Sequence, residues 1–508
     1  MKLSKVFAGI HPEKDVLTKT LLWSDPEITG LCFDSRKAKP GFLFIAIPGF
    51  VVDGKKFLGK AFAAGAQAAV VESRDGVPEE YQSLCLVVSN PRRVLATLSA
   101  NFFQHPTSEL LLIGITGTNG KTSCAHLLAS ILTAAGHSTA LMGTVERSYP
   151  GRREASEHTT QESLEIQHFL RDARNAGATA AVIEVSSHAL SLDRVAECDF
   201  DGALFTNLEP DHQDFYAGME PYFLAKRRLF EGYNPPVSKK KMIAVVNEDD
   251  SYGKRILAEG KIFSLGFSEK KAAYSYSALQ SEGAAVVGTV NSIEGKAIPI
   301  HSRLAATRFN LANIAGCVAL AHALKIPKLA ISRGVSNLEE IPGRLTRVPT
   351  RSGVQVYVDF AHSGPKLRSV LQALRDIARG RLITVFGAGG DKDPLRRTRM
   401  GEAAADLADH TFITTDNPRS EDPLKIIEAI ESAWRNRQNE TARAANLIVE
   451  PDREQAIRLA LQMASGDDIV CIAGKGHEQG QIVKDQVFPF DDVEVATRCL
   501  EELEKCLP

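Results

Sequence analysis

The sequence predicts an α/β protein of three domains with mainly parallel sheets, on three observations. Short apolar runs alternate with helical stretches nearly throughout, with candidate strands at 111–116, 181–185, 203–206, 242–246, 382–386, 411–415 and 469–473. That alternation is the pattern of strand–helix–strand units. Polar or glycine-rich clusters follow most of these strands at their C-terminal ends, where open α/β sheets hold ligands. The chain, at 508 residues, is also long enough for about three separate cores.

Boundaries follow from chain punctuation. Ser89-Asn90-Pro91-Arg92 and His105-Pro106-Thr107 interrupt the region ahead of strand 111–116, which places a first domain at 1–108. Ile341-Pro342-Gly343-Arg344 follows an Ala/Leu-rich helical segment and reads as a hinge. It separates a central domain at 109–340 from a third at 341–508. The segment Pro150-Gly151-Arg152-Arg153 reads equally as a mobile, ligand-facing loop or a plain surface loop.

Composition excludes several classes. Sixty basic and 62 acidic residues leave a net charge of −2, so no nucleic-acid or membrane footprint is expected. Apolar content of 44% and charged content of 24% are ordinary for a soluble globular protein. Lys239-Lys240-Lys241 reads as a solvated lead-in to strand 242–246. No apolar stretch approaches the roughly 20 residues that span a bilayer. Residues 1–10 are too interrupted for a signal peptide. Eight cysteines without a C-x-x-C pair point to reduced thiols in a cytoplasmic protein, expected to be a monomer.

Residues 114–123, Gly-Ile-Thr-Gly-Thr-Asn-Gly-Lys-Thr-Ser, carry the strongest chemical signal. They join strand 111–116 to a helix expected at 123–135 and stopped by Gly136. A glycine-rich turn there, through Gly117, Thr118, Asn119 and Gly120, aims backbone N–H groups at polyphosphate oxygens. Lys121 supplies a charge for the β- and γ-phosphates, and the hydroxyl of Thr122 or Ser123 can ligate Mg²⁺. The common G-x-x-x-x-G-K-[ST] spacing needs glycine where Ile115 stands; here the glycines fall at 114, 117 and 120. The loop indicates ATP or GTP, and leaves open what the energy is used for.

Glu184 closes one strand in Glu184-Val185-Ser186-Ser187-His188, and Thr206-Asn207-Leu208-Glu209-Pro210-Asp211-His212 closes another. A carboxylate at a strand end beside a phosphate loop is a natural second contact for Mg²⁺, which prefers oxygen ligands. His212 is read as a ligand for a second metal or a phosphoryl oxygen, because it follows the second of two strands expected to be adjacent. Lys226 is bland from pattern alone, since a helical lysine is usually solvated.

Two signals mark the last third. Asp416-Asn417-Pro418-Arg419 sets a carboxylate, an amide and a guanidinium on one turn stiffened by proline. Arg419 can take a carboxylate bidentately and Asp416 an ammonium, as a zwitterion requires; a surface ion pair is the competing reading. Ala473-Gly474-Lys475-Gly476-His477-Glu478 ends strand 469–473. In Gly387–Asp393 the glycines allow close ligand approach, and Lys392, Arg396 and Arg397 supply positive charge.

Taken together, the motifs G-T-N-G-K-T-S, E-V-S-S-H, T-N-L-x-x-D-H, A-K, F-N-x-x-N, P-G-R, D-x-A-H and D-N-P-R resemble the Mur ligases of peptidoglycan synthesis. The resemblance runs from Asp34-Ser35-Arg36 to Gly474–Glu478 and is nearest to enzymes adding 2,6-diaminopimelate to UDP-N-acetylmuramoyl-L-alanyl-D-glutamate. It implies a UDP-binding N-terminal domain, a central P-loop ATPase domain and a Rossmann-like C-terminal domain for the amino acid. It also implies that ATP activates the D-Glu carboxylate as an acyl phosphate, which the incoming amine attacks.

The same resemblance implies roles residue by residue. Gly117 to Ser123 hold ATP, and Glu184 and His212 hold Mg²⁺. Lys226 matches a lysine that becomes a carbamate and binds the second Mg²⁺. Asn310 and Asn313 match a nucleotide-contacting pair, and Arg344, Asp359 and His362 match residues through which the third domain meets ATP. Ser35 matches a uridine-side contact; Thr159, Thr160, Ser186 and Arg194 match contacts to the muramyl dipeptide. Asp416, Asn417, Pro418, Arg419, Gly474 and Glu478, with Lys392, match the diaminopimelate pocket.

Relatives that add L-lysine lack the arginine of D-N-P-R, so Arg419 favours meso-diaminopimelate, whose far end carries a carboxylate. Departures from the family pattern are Lys392 for arginine, Gln161 for proline, Leu192 where some relatives have glutamine, Ser363-Gly364-Pro365 for Thr-Pro-Asp, and Phe50-Val51-Val52. The rival readings are the L-lysine-adding ligase, the D-Ala-D-Ala-adding ligase, folylpolyglutamate synthase and, from another class, a P-loop kinase or ATPase.

Overall fold

A computed structural model describes the chain except residues 50–51, 214, 233–239, 283–284, 306, 441–444 and 506–508. Phe50, Val51, Lys239 and Cys506 therefore lie outside the described residues. The chain forms two compact units. One comprises Met1–Leu208, His212–Tyr274 and Gly316–Gly334; the other comprises Glu209–Asp211, Ser275–Ala315 and Val335–Pro508.

The first unit contains two sheets. Strands β1 (Gly30–Cys32), β2 (Phe42–Ile45), β3 (Ala68–Val71) and β4 (Cys85–Val87) pair in that order, all parallel. Alternate residues of β2 serve opposite cores: Leu43 and Ile45 pack with Leu3, Ile28 and Leu95, whereas Phe44 packs with Leu58 and Val77. A sheet covered on both faces needs such unbroken apolar strands. Asp34-Ser35-Arg36 follows β1, with the Asp34 carboxylate accepting from Arg36 N in a short 3-10 turn, Ser35–Lys37.

The second sheet of this unit is built from β5 (Leu111–Thr116), β6 (Thr139–Met142), β7 (Glu146–Tyr149), β8 (Arg152–Ala155), β9 (Ala180–Glu184), β10 (Gly202–Phe205), β11 (Ile243–Asn247) and β12 (Ser264–Ser268). Its order is β12-β11-β10-β5-β9-β6-β7-β8, parallel except for the β6–β7 and β7–β8 pairs. The expected adjacency of the Glu184 strand and the Thr206 strand is corrected here: β5 lies between β9 and β10. Both crossovers return to the phosphate-loop strand, so that loop is flanked on each side by a polar strand end. Of the two readings of Pro150-Gly151, the plain surface loop fits the structure. It is the tip of the β7–β8 hairpin, with Gly151 at φ 83°.

In the second unit a six-stranded sheet has the order Thr346–Val348, Gln355–Asp359, Ile469–Ala473, Leu382–Phe386, His410–Ile413, Asn446–Val449. Its first pair is antiparallel and the others are parallel. Helix Gly364–Ile377 shows why the element forms: Leu367, Val370, Leu371 and Leu374 recur at helical spacing and are buried on one face. This order brings the ends of the strands bearing Asp359, Gly474, Gly387 and Asp416 to one edge of the sheet.

The seven described cysteines are free and buried. No described helix is long and apolar enough to cross a membrane. Lys240 is not the solvated lysine its run suggested. Its ammonium binds Asp201 Oδ2 at 2.8 Å and the carbonyls of Thr107, Leu110 and Asp199. Three carbonyls and a carboxylate within reach outweigh exposure for so long a side chain.

Candidate active site

The phosphate loop runs from the end of β5 into helix Lys121–Ala134, which starts two residues earlier than the pattern suggested. Gly120 caps that helix at φ 85°, a conformation costly for any residue with a Cβ. Gly117 is required for space, since a Cβ there would lie 1.9 Å from Thr206 Oγ1. Gly114 sits within β5 and packs against Phe200, so it is a strand residue and no part of the cradle.

The loop is held from the β10 side. Asn207 O accepts from Thr118 N and Asn207 Oδ1 from Asn119 N, both at 2.9 Å, while Thr206 Oγ1 donates to Asn119 O at 2.6 Å. Lys121 Nζ curls back onto Gly117 O and Thr118 O at 2.8 and 3.0 Å. The sequence gives Thr206 and Asn207 no more than a strand-end position; the sheet order supplies their function.

Glu184 approaches from the β9 side and is 1% exposed. It accepts from Thr122 Oγ1 at 3.1 Å, Thr144 N at 2.8 Å and Thr144 Oγ1 at 3.0 Å. Thr144 Oγ1 also meets Thr159 Oγ1 at 3.0 Å. Thr144 was missed by sequence reasoning; its signal is Gly143, where a Cβ would strike Glu184 Oε1 at 2.2 Å. All these donors are neutral, and carboxylate oxygens are the ligand type a hard cation prefers. Among the described residues no group of three or more His, Cys, Asp or Glu side chains could hold a metal ion. A Mg²⁺ bound here would need phosphate oxygens and water to complete its shell, whichever neighbouring side chains join Glu184.

Lys226 overturns the bland expectation. It lies on helix Met219–Arg227, is 1% exposed, donates to Gly117 O at 2.8 Å and sits 4.7 Å from the centre of the Tyr222 ring. Tyr222 OH in turn meets Thr118 Oγ1 at 3.1 Å. His212 holds φ at 53° and packs edge-on to His188 at 4.8 Å, with Tyr222 next to it at 6.0 Å.

Thr160, Ser186 and Arg194 join the same neighbourhood. Thr160 Oγ1 donates to Glu184 O at 2.7 Å and accepts from Ser186 N at 3.0 Å. Arg194 bonds Thr160 O and Glu162. Gln161, in the usual proline position, is buried and donates to Ser156 Oγ and His158 O, which holds the preceding loop. Ser35 stands apart from this cluster, after β1.

In the second unit, Asp359 is buried and accepts from Leu345 N at 2.9 Å; burial raises its carboxyl pKa against the pull of Arg344. Burial, then the positive charges of Lys366 and Arg396, holds His362 well below the usual histidine range. Its Nδ1 donates to Phe360 O at 2.8 Å, and the Arg344 guanidinium lies 5.5 Å from the Phe360 ring centre. Asn310 and Asn313 are both buried on helix Arg308–Ala323.

The turn Asp416–Arg419 is a built site. Asp416 is 7% exposed, and its buried Oδ2 has no hydrogen-bond partner among the described residues. Gly474 is required beside it, because a Cβ would lie 2.5 Å from Asp416 Oδ2. Burial raises the Asp416 pKa, with Arg453 and Lys475 opposing the rise. Asn417 Nδ2 donates to Glu478 Oε2 at 2.7 Å. Arg419, at φ 52°, donates from Nη1 to Gly390 O at 2.9 Å. Lys392 is exposed, and Arg397 is tied to Glu421 at 2.7 Å. A surface ion pair is thereby excluded as the reason for the motif.

Sequence reasoning missed two buried cations here. Lys475 is fully buried, and Arg453 forms a buried pair with Asp492 at 2.7 Å while donating to Ala473 O at 2.9 Å. Lys475 was legible in principle, since it lies inside the run Gly474–Glu478. Arg453 and Asp492 lie far apart in sequence, and nothing local marks them.

Comparison with known proteins adds family evidence. Residues 115–321 match the family model for the Mur ligase middle domain, and 343–476 that for the Mur ligase, glutamate ligase domain. Residues 27–103 match that for the Mur ligase family, catalytic domain. The chain is 42% identical over 486 residues to the UDP-N-acetylmuramoyl-L-alanyl-D-glutamate–2,6-diaminopimelate ligase of Synechococcus elongatus, covering 94% of this chain and 95% of that one. It is 39% identical over 480 residues to the protein of that name from Caldanaerobacter subterraneus, covering 94% and 96%. A solved structure bearing the same name aligns over 99% of both chains at 28% identity, with a TM-score of 0.69. MurF ligase from Thermotoga maritima, solved in complex with ADP, shares the fold at 17% identity and a TM-score of 0.61, over 97% of this chain and 100% of that chain.

Proposed function

This chain belongs to the Mur ligase family, and from that premise we propose that it adds meso-2,6-diaminopimelate to UDP-N-acetylmuramoyl-L-alanyl-D-glutamate, using ATP. The observation that carries the choice of amino acid is the buried, unpartnered Asp416 Oδ2 on the same turn as Arg419. A carboxylate for an ammonium and a guanidinium for a carboxylate match the far end of diaminopimelate. L-Lysine would leave the guanidinium without its partner, at a cost of a few kcal/mol.

The chemistry follows from a poor electrophile. The D-Glu side-chain carboxylate accepts the γ-phosphoryl group of ATP, giving an acyl phosphate and ADP. The amine of diaminopimelate attacks the acyl carbon, the tetrahedral intermediate expels phosphate, a proton leaves the nitrogen, and an amide remains. The loop amides of Gly117–Ser123 and Lys121 are assigned to the polyphosphate, where they stabilise developing charge. Glu184, His212, the hydroxyls of Thr122 and Ser123, and Lys226 as a carbamate are assigned to Mg²⁺, which would neutralise phosphoryl oxygens. Asn310, Asn313, Arg344, Asp359 and His362 are assigned to the nucleotide. Ser35, Thr159, Thr160, Ser186 and Arg194 are assigned to the UDP-linked dipeptide. Asp416 to Arg419, Gly474, Glu478 and Lys392 are assigned to the amino acid.

We infer three domains at 1–108, 109–340 and 341–508, and a cytoplasmic monomer. The test is phosphate release with product mass in the presence of ATP, Mg²⁺, the UDP-linked dipeptide and diaminopimelate. Amide product dependent on all three substrates is expected. ATP turnover independent of the dipeptide, with a phosphorylated product, would instead identify a kinase or ATPase.

A further inference from the structure

We propose that Lys475 is a positioning residue of the amino-acid pocket, holding Asn417 and Glu478 in the orientation that receives the incoming amino acid. The proposal rests on the assignment of Asp416–Arg419 and Glu478 to that pocket. Lys475 is fully buried, and an interior ammonium is tolerated only where its donors are satisfied. Its three N–H groups meet three acceptors: Asn417 Oδ1 at 3.1 Å, Glu478 Oε2 at 3.3 Å and Gly480 O at 2.6 Å.

Two orientations follow from those bonds. Asn417 Oδ1 accepts from both Lys475 and Ile482 N, the latter at 2.9 Å, so its amide nitrogen must turn toward Glu478. Glu478 Oε2 is then held by Lys475 and by Asn417, which leaves Oε1 to a ligand ammonium. Lys475 also anchors the hairpin Gly480–Val483 and Gln486–Pro489 through Gly480 O. That hairpin fixes Arg419, which donates from N to Ile482 O at 3.0 Å and accepts at O from Lys484 N at 2.7 Å. One ammonium therefore ties strand end, turn and hairpin together.

Charge gives the same result. Glu478 disfavours the ionised form of Asp416, and Lys475 favours it. Without the lysine, the two carboxylates would keep only Arg453, whose guanidinium is already paired with Asp492.

The experiment uses the full chain with Lys475→Met. The KM for diaminopimelate is expected to rise about tenfold or more, while those for ATP and the UDP-linked dipeptide stay within about twofold. Lys475→Arg keeps the charge but shifts the donors; it should show the same one-sided change in smaller degree, and it carries the test if Lys475→Met does not fold. Equal changes in all three KM values, or a lower Tm with an unaltered amino-acid KM, would overturn the proposal. Failure of the wild-type chain to join diaminopimelate would instead sink the pocket assignment, and would be seen before any variant is made.

Discussion

Lys226 Nζ donates to the carbonyl of Gly117 at 2.8 Å from a side chain almost wholly removed from solvent. Lys121 donates to the same carbonyl, so two lysines from different helices converge on one point of the phosphate loop. A buried lysine held against the phosphate loop fits the role proposed for it, as charge or as carbamate. Lys226→Met is expected to lower kcat about 100-fold or more while the fold persists. Phosphate release and a thermal melt together check this, and an unchanged kcat would leave Lys226 a structural residue.

Glu184 supplies a buried carboxylate bonded only by neutral donors in the described contacts. Chelating Mg²⁺ is expected to stop phosphate release. Glu184→Gln should raise the Mg²⁺ concentration needed for half-maximal rate by at least about tenfold, since it removes the charge but keeps the shape. A Mg²⁺ titration of both proteins measures it.

Arg453 and Asp492 are paired in the interior, with side chains 1% and 0% exposed. Asp492→Asn leaves a buried guanidinium without its counter-charge and should cost about 3–5 kcal/mol of stability. Urea unfolding of wild type and variant gives the difference directly. A cost near zero would show that the carbonyls of Ala473 and Thr415 suffice for Arg453.

Asp416 sets a pH dependence whose sign differs for folding and for binding. Burial raises its folded-state pKa above the unfolded value. The stability linked to neutral Asp416 is therefore full below the unfolded pKa and is lost as pH rises through the raised one. Ammonium recognition needs the carboxylate, so the amino-acid KM should fall as pH rises through that same value. Over a pH series running upward from the ordinary aspartate range, the amino-acid KM should change more than the KM for ATP. Asp416→Asn should abolish the difference.

Much of this site was legible from the chain, and the reasons for the gaps are physical. Strand ends, the phosphate loop and the Asp416–Arg419 turn are local, written in apolar runs, glycines and a proline. The position of β5 between β9 and β10 is a matter of crossover order, and strand patterns carry no such order. Lys226 looked like a solvated lysine, and Lys475 carried no signal of its own, because burial of a long cation depends on acceptors supplied from elsewhere. Thr144 and Asp492 act through partners 40 and 39 residues away, on Glu184 and Arg453 respectively.

The most direct test of the central claim is the ratio of kcat/KM for meso-diaminopimelate to that for L-lysine, with ATP, Mg²⁺ and UDP-N-acetylmuramoyl-L-alanyl-D-glutamate saturating. A preference for diaminopimelate of about 100-fold or more is expected, with the amide product confirmed by mass. Equal rates with the two amino acids would contradict the account.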